Sequence, residues 1–438
     1  MPLCNDRSPL MSTIFFAWEL GANLGHLTRD LLIARACRDA GHQVVMAVPN
    51  LRQGAAFLKG EGFILVQSPV LHSVIPRTVP PIHYADMLMH EGYDDLDFLY
   101  GAVTAWEGLL RLIQPAVMVY NHAPTALIAA RRLAVPVHIM GTGFEVPPAT
   151  SPMPGFHPWQ AIPETILQQS EQSLIAQINA LPEQAAGAKL TSLKDLFTPS
   201  LLQLTTFPEL DPFGPRTGVD YIGPLYALSN ALNLEWNDKG KRFRIFVYLR
   251  PSVMHCERWL SELSRLDAEV IGMIPGAPAQ WKERYPALRI YTEALELNDL
   301  LKHADLVLSY GAGTIATALL AGVPVLLLPQ VTEQLLAGLA LERTGAGRVL
   351  KHPDAMNEGI QLLSQLLHNP SYRLAAQAFA AKYKNYSQAQ SCASVMSALQ
   401  LYLRSDIPGI ESKRGWTRPA GRHAFSAEWS ALGSVLSQ

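Results

Sequence analysis

The feature that most constrains this chain is an uncharged run from Leu306 through Thr332. It is long enough to cross a membrane, but Gly311, Gly313, Gly322, Pro324 and Pro329 cut it into pieces too short to do so. The pieces read as an apolar strand over 306–308, a glycine turn, a small-residue helix and a second apolar strand over 323–328. That is one βαβ crossover of a buried parallel sheet. The turn Ser309-Tyr310-Gly311-Ala312-Gly313-Thr314 sits where strand hands over to helix. Its backbone N–H groups and the Thr314 hydroxyl would face the crevice, and glycines there let a phosphate approach the main chain. A short Gly-x-Gly alone would equally serve as a tight turn. At the second crossing, Glu333 and Gln334 open the next helix, where a carboxylate beside an amide can hydrogen-bond the vicinal hydroxyls of a sugar. Compensation of the helix dipole is the plainer use of such a Glu. Arg250, just past the strand 244–249, could add positive charge there, although a lone Arg at a strand end is more often a surface residue.

A second βαβ unit opens the chain: strand 13–18, a turn containing Glu19, Gly21, Gly25 and His26, helix 27–40 and strand 43–48. The spacing of Gly21 and Gly25 is not that of a dinucleotide fingerprint. Further strands are expected at 63–67, 116–120 and 135–140, with one helix over 84–113. Alternation of strands and helices makes a doubly wound α/β sheet. The Pro- and aromatic-rich stretch 141–159, which includes Phe144, follows a strand and reads as a loop over the carboxyl edge. A new sheet begins at 244–249 and continues at 269–274 and 289–291, and 371–403 reads as one long helix. The expected organisation is a leader 1–11, a first Rossmann-like domain 12–225, a linker 226–242, a second Rossmann-like domain 243–404 and a tail 405–438.

Composition narrows the function. A chain of 438 residues with 49% hydrophobic content can bury two cores, and a net charge of −2 with scattered cations gives no nucleic-acid footprint. Cys4, Cys37, Cys256 and Cys392 are far apart, so neither a zinc site nor a disulfide framework is indicated, and a reducing cytoplasm fits. The first 22 residues lack the pattern of a secretory signal. No His/Asp cluster has metal-ligand spacing, so no metal is expected.

Taken in order, Gly311-x-Gly313-Thr314, Ala321-Gly322-Val323-Pro324 and Pro329-x-x-x-Glu333-Gln334 resemble the donor-binding segment of family 1 glycosyltransferases, the two-domain GT-B enzymes that use nucleotide-activated sugars such as UDP conjugates. The resemblance implies a GT-B fold with acceptor bound mainly by the first domain and donor by the second, and a terminal helix that crosses back onto the first domain. It implies an inverting transfer that needs neither metal nor cofactor beyond the nucleotide-sugar co-substrate. No Asp-x-Asp motif stands where a GT-A enzyme would need one. The donor-binding set is Ser309, Tyr310, Gly311, Ala312, Gly313, Thr314, Glu333, Gln334 and Arg250. The chain departs from the family at Ser309, where a His usually contacts the diphosphate, and at Thr317, where a Glu often holds the ribose.

His26 is the candidate base: it opens a helix whose dipole disfavours the imidazolium, and Gly25-His26 resembles the family's amino-terminal base loop. Many relatives orient that His with an Asp, whereas this chain has Asn121 at the comparable place. Glu19 could orient His26, act as base itself or cap the following turn. His122 and Phe144 are the acceptor-side candidates, and apolar Pro-rich loops suggest a small hydrophobic or lipid-like acceptor, with weak peripheral membrane contact left open. Two other readings stay open: a GT-B sugar-nucleotide epimerase and a non-catalytic GT-B binding or scaffold protein.

Overall fold

A computed structural model describes residues 11–21, 24–69, 79–182, 189–198, 200–227, 231–237, 240–352 and 354–403. The expected tail 405–438 and all but the last residue of the expected leader lie outside them. Two wholly parallel sheets dominate. The first contains β1 (Thr13–Trp18), β2 (Gln43–Val48), β3 (Ile64–Gln67), β4 (Val117–Asn121), β5 (Val137–Gly141), β6 (Leu201–Leu204) and β7 (Asp220–Tyr221), in the order β3-β2-β1-β4-β5-β6-β7. The second contains β8 (Phe243–Tyr248), β9 (Ala268–Met273), β10 (Leu288–Tyr291), β11 (Leu306–Ser309), β12 (Val325–Leu327) and β13 (Gly347–Val349), in the order β10-β9-β8-β11-β12-β13.

The strand sequences explain why both faces of each sheet are covered. Phe15 and Ala17 of β1 pack on one side with Trp106 and Tyr120, while Ile14, Phe16 and Trp18 pack on the other with Leu27 and Leu31 of the helix Gly25–Asp39. Period-2 alternation thus feeds two cores from one strand, as a buried parallel sheet requires. In each sheet the chain runs outward from its first strand and returns on that strand's other side, so crevices open at the carboxyl ends of β1/β4 and of β8/β11. Ligands bind at such switch points.

Two expected helices are broken, for local reasons. The helix expected over 84–113 divides into Tyr84–Leu88, a π-turn Met89–Tyr93 and Leu96–Ile113, because Gly92 adopts φ 101° and the Asp95 side chain caps the later helix at Phe98 N, 3.1 Å away. The helix expected over 371–403 is two, Pro370–Lys382 and Gln388–Leu403. Between them Tyr383 and Tyr386 turn inward onto Phe207, with ring centroids 4.0 and 5.2 Å away, and the Tyr386 hydroxyl donates to Pro224 O. The final helix then lies on the first domain, where Val395 and Leu399 are fully buried in the core beside Cys37 and Leu31.

Of the expected linker, Ala227 N donates to Thr28 O of the first domain at 2.8 Å, whereas 231–237 lie on the second: Trp236 Nε1 donates to Leu300 O at 2.8 Å, and Leu232 bridges to Leu295. The domains also meet through the helix Thr332–Arg343, whose Leu336 joins the first domain's core and whose Arg343 donates to Asp211 O at 2.7 Å. No described helix is long and apolar enough to cross a membrane.

Candidate active site

The β1/β4 crevice holds a buried polar cluster built on the helix Gly25–Asp39. His26, Arg29 and Asp30 stand at i, i+3 and i+4, so they share one face, and all three are buried. The His26 ring stacks on Trp18 at 5.1 Å with planes 20° apart. Its Nδ1 is 2.7 Å from Asn121 Oδ1 at the end of β4. Arg29 Nη2 donates to the same oxygen, and Arg29 Nη1 donates to Glu145 Oε1 at 3.0 Å. Asn121 Nδ2 donates to Asp30 Oδ2 at 2.7 Å and to His26 O at 3.1 Å.

These partners fix the hydrogens. A guanidinium only donates, so the Asn121 atom facing Arg29 is its oxygen, and the His26 nitrogen facing that oxygen must carry the proton. Nε2 is left as the unprotonated nitrogen. It lies against Gly21, whose φ is 94°; a Cβ there would stand 2.5 Å from Nε2.

Burial and neighbours separate the charges. Burial, reinforced by the Arg29 cation, pushes His26 down to about 4, and burial pushes His122 down to about 3, so both rings are neutral near pH 7. Burial alone would raise Glu145, but the Arg29 cation, with the Thr142 amide, holds it at about 2, so it is a carboxylate. Asp30 is pushed up to about 7 by burial, against the pull of Arg29 and Asn121.

Glu19 answers differently from its sequence reading. Orientation of His26 falls to Asn121, while Glu19 Oε2 accepts from Thr125 N at 3.0 Å in the first turn of the helix Pro124–Arg132. The cause is strand alternation: one residue beyond Trp18, Glu19 points to the opposite side of the sheet from His26. Its buried Oε1 is unpartnered, and burial raises its carboxyl to about 7. His122 sits in the left-handed region at φ 48°, with Nε2 buried and unpartnered and its ring centroid 6.1 Å from that of His26. Phe144 meets His122 edge-on at 6.3 Å and packs on Phe156 at 5.0 Å, so both acceptor candidates line the β1/β4 side.

On the β8/β11 side, Ser309 is fully buried and folds onto its own turn, accepting from Gly311 N at 3.0 Å. Tyr310 packs on Tyr248 at 5.1 Å, and Arg250 stands close enough to act on the Tyr310 phenol; its Nε is buried and unpartnered. The helix Gly313–Leu320 starts at Ala312 with no side-chain cap, so its leading amides face the crevice without one. A Cβ at Gly313 would meet nothing within 4 Å. Gln334 does not offer both ends of its amide: Oε1 accepts from Gln330 N at 2.7 Å, holding the loop before it. Thr317 is buried, and the neighbouring Tyr226 hydroxyl donates to Asn298 Oδ1 at 2.9 Å. Glu333 is half-buried in the first turn of its helix and faces Arg29 and Glu145 of the first domain; burial and the Glu145 charge raise it to about 7. Among the described residues no group of three or more His, Cys, Asp or Glu could hold a metal ion.

The structure thus brings His26, His122 and Phe144 together at the β1/β4 crevice, and beside them it places Arg29, Asp30 and Glu145, which the sequence reading did not single out. The i+3 and i+4 spacing from His26 was a usable signal for the first two, whereas nothing singles out Glu145 within its loop.

Residues 257–399 match the C-terminal domain model described as erythromycin biosynthesis protein CIII-like. No curated protein matches the chain by sequence. Among solved structures, the Streptomyces sp. SF2575 glycosyltransferase SsfS6 aligns over 88% of this chain and 99% of its own at 17% identity, with a TM-score of 0.60. The spinosyn forosaminyltransferase SpnP aligns over 90% and 100% at 21% identity, with a TM-score of 0.57, and the calicheamicin glycosyltransferase CalG4 over 89% and 99% at 17% identity, with a TM-score of 0.60. The chain thus shares the two-domain GT-B fold of these glycosyltransferases, and its second domain carries the CIII-like sequence.

Proposed function

We propose that the chain transfers a sugar from a nucleoside diphosphate to a hydroxyl of a small hydrophobic or lipid-like acceptor, with inversion and without a metal. The observation that carries this reading is His26: a buried, neutral imidazole whose Nδ1–H is engaged, leaving Nε2 to receive a proton. In the proposed step Nε2 takes the acceptor hydroxyl proton as that oxygen bonds the sugar's anomeric carbon. The anomeric carbon–oxygen bond to the diphosphate breaks, and the nucleoside diphosphate leaves with the electron pair. One base and a stabilised leaving group suffice for a single displacement. The amides of Ala312 and Gly313 at the uncapped helix start, with Arg250, would stabilise the departing charge.

A thymidine diphosphate donor is the favoured class, because SsfS6 and VinC, both aligned over about nine-tenths of this chain, have been crystallised with that nucleotide. His122, Phe144 and Phe156 form an aromatic wall that suits an apolar acceptor. The test is a thermal-shift panel of dTDP, UDP and GDP, followed by transfer assays with the stabilising nucleotide's sugar conjugates. A nucleotide at 100 times its Kd adds about 2.7 kcal/mol to folded-state stability. His26→Ala should keep that shift and lose transfer; a variant that transfers at the parent rate would overturn the base assignment.

A further inference from the structure

Resting on the reading of His26 as the base, we propose that Arg29 and Glu145 are its positioning residues. Their ion pair, relayed through Asn121, supplies what a carboxylate partner would otherwise supply, fixing both the tautomer and the charge of His26.

The geometry requires the two to act together. Arg29 Nη2 lies 3.5 Å from His26 Nδ1 while donating to Asn121 Oδ1, so the amide oxygen sits between a cation and an imidazole N–H and cannot rotate away. A bare guanidinium there would oppose the imidazolium that must form when Nε2 takes a proton. Glu145 offsets it: its Oε1 takes Arg29 Nη1 and lies 3.9 Å from His26 Nδ1. The other oxygen accepts from the Thr142 amide and, at 2.8 Å, from the Thr142 hydroxyl. The loop that carries Glu145 is itself clamped: Arg216 donates to Val146 O at 2.6 Å and to Gly143 O at 2.9 Å, and Tyr120 donates to Glu145 O at 2.9 Å. That much hydrogen bonding around one buried carboxylate holds it at a set distance from the ring.

The groups facing His26 can be named. Its own helix supplies Arg29 and Asp30, β1 and β4 supply Trp18 and Asn121, the residue after β4 is His122, and the loop after β5 supplies Glu145. From the second domain, Glu333 acts on Arg29 and Glu145. With Asp30 withdrawn behind the Asn121 amide, Arg29 and Glu145 are the two charges of opposite sign closest to the ring, so removing one should move its titration in the opposite sense to removing the other.

The experiment uses the full chain labelled with 15N-histidine, the His26 resonances being assigned by their loss in His26→Ala. The parent should show a neutral Nδ1–H tautomer from pH 5 to 8. Arg29→Gln should raise the His26 midpoint by about one unit or more, a tenfold change in its protonation ratio, and bring an acidic limb into the kcat/KM profile. Glu145→Gln should lower the midpoint further and cut kcat at least tenfold, with KM for the sugar nucleotide changed less than threefold. The double variant, which leaves neither charge orphaned and so guards against a folding failure of either single, should return the midpoint to within half a unit of the parent's. Arg29→Lys should keep the low midpoint but lose the single tautomer, because one ammonium cannot span Asn121 and Glu145. Equal midpoints and one unchanged tautomer in all folded variants would overturn the proposal, as would shifts of the same sign in the two singles. If His26→Ala transfers normally, it is the base reading that falls. If that variant is dead while the titrations do not move, the positioning pair alone falls.

Discussion

Gly21→Ala puts the reading of His26 under the sharpest strain. Gly21 has φ 94°, and an added Cβ would lie 2.5 Å from His26 Nε2 and 3.2 Å from its Cδ2. The backbone conformation alone costs a non-glycine residue about 1–2 kcal/mol. The steric clash falls on the side chain rather than on backbone, so the ring gives way: it tips off Trp18 and loses its 2.7 Å contact with Asn121. Stability should thus fall by about 2 kcal/mol, a few degrees in Tm for a chain of this size. Transfer should fall by about 10²–10⁴, the contribution of a general base. The assay pairs a thermal melt with and without nucleotide against kcat/KM for transfer. A folded Gly21→Ala that keeps its nucleotide-induced shift and transfers within threefold of the parent would refute the assignment of Nε2, since no base can work through a methyl group placed against it.

Gly313→Asp should leave Tm within about a degree, because its Cβ enters open space and an acidic side chain is welcome in a first helical turn. It should abolish the nucleotide-induced shift by placing a carboxylate where a diphosphate would sit, and a retained shift would move the donor site elsewhere. His138 is fully buried beside Gln203 and Asp220, and burial pushes it down to about 4. Between the ordinary imidazole value and that one the native state binds fewer protons than the unfolded chain, so its contribution is complete above about pH 6.5 and is lost as the pH falls toward 4. The loss is on the order of 3 kcal/mol, and urea melts of His138→Gln should show a correspondingly shallower decline between those pH values than the parent. Leu399→Ala should cost about 2–5 kcal/mol by opening a cavity where the final helix meets the first domain; a loss under 1 kcal/mol in urea melts would mean that this contact is not part of the cooperative unit.

The fold was legible because its signals are short-range. Apolar runs such as 13–18 and 306–309 end in glycine turns and 244–249 ends at Arg250-Pro251, and that pattern needs no knowledge of distant residues. The breaks at Gly92 and at Tyr383–Ser387 were not legible, since one depends on a single backbone angle and the other on aromatic anchors reaching Phe207, over 170 positions away. The site divides in the same way. His26 and Gly313 announce themselves by position at strand-to-helix junctions. Glu145 lies 116 positions from Arg29 and takes its meaning from that contact alone.

The same long-range contact changes the meaning of Asn121. Read by itself, an amide facing the base is a weaker partner than a carboxylate, because it carries no charge to stabilise an imidazolium. Within the assembled site the amide has a different task. Its oxygen accepts from Arg29 and His26 at once while its nitrogen donates to Asp30 and to His26 O, a four-way set that an aspartate, with no donor, could not satisfy. The negative charge moves one residue outward, to Glu145, 3.9 Å from the ring and already neutralised by Arg29. Charge and orientation, which a single carboxylate would combine, are divided here between two side chains. A division of that kind leaves the imidazole less basic than a direct carboxylate contact would, and so keeps it unprotonated well below neutral pH.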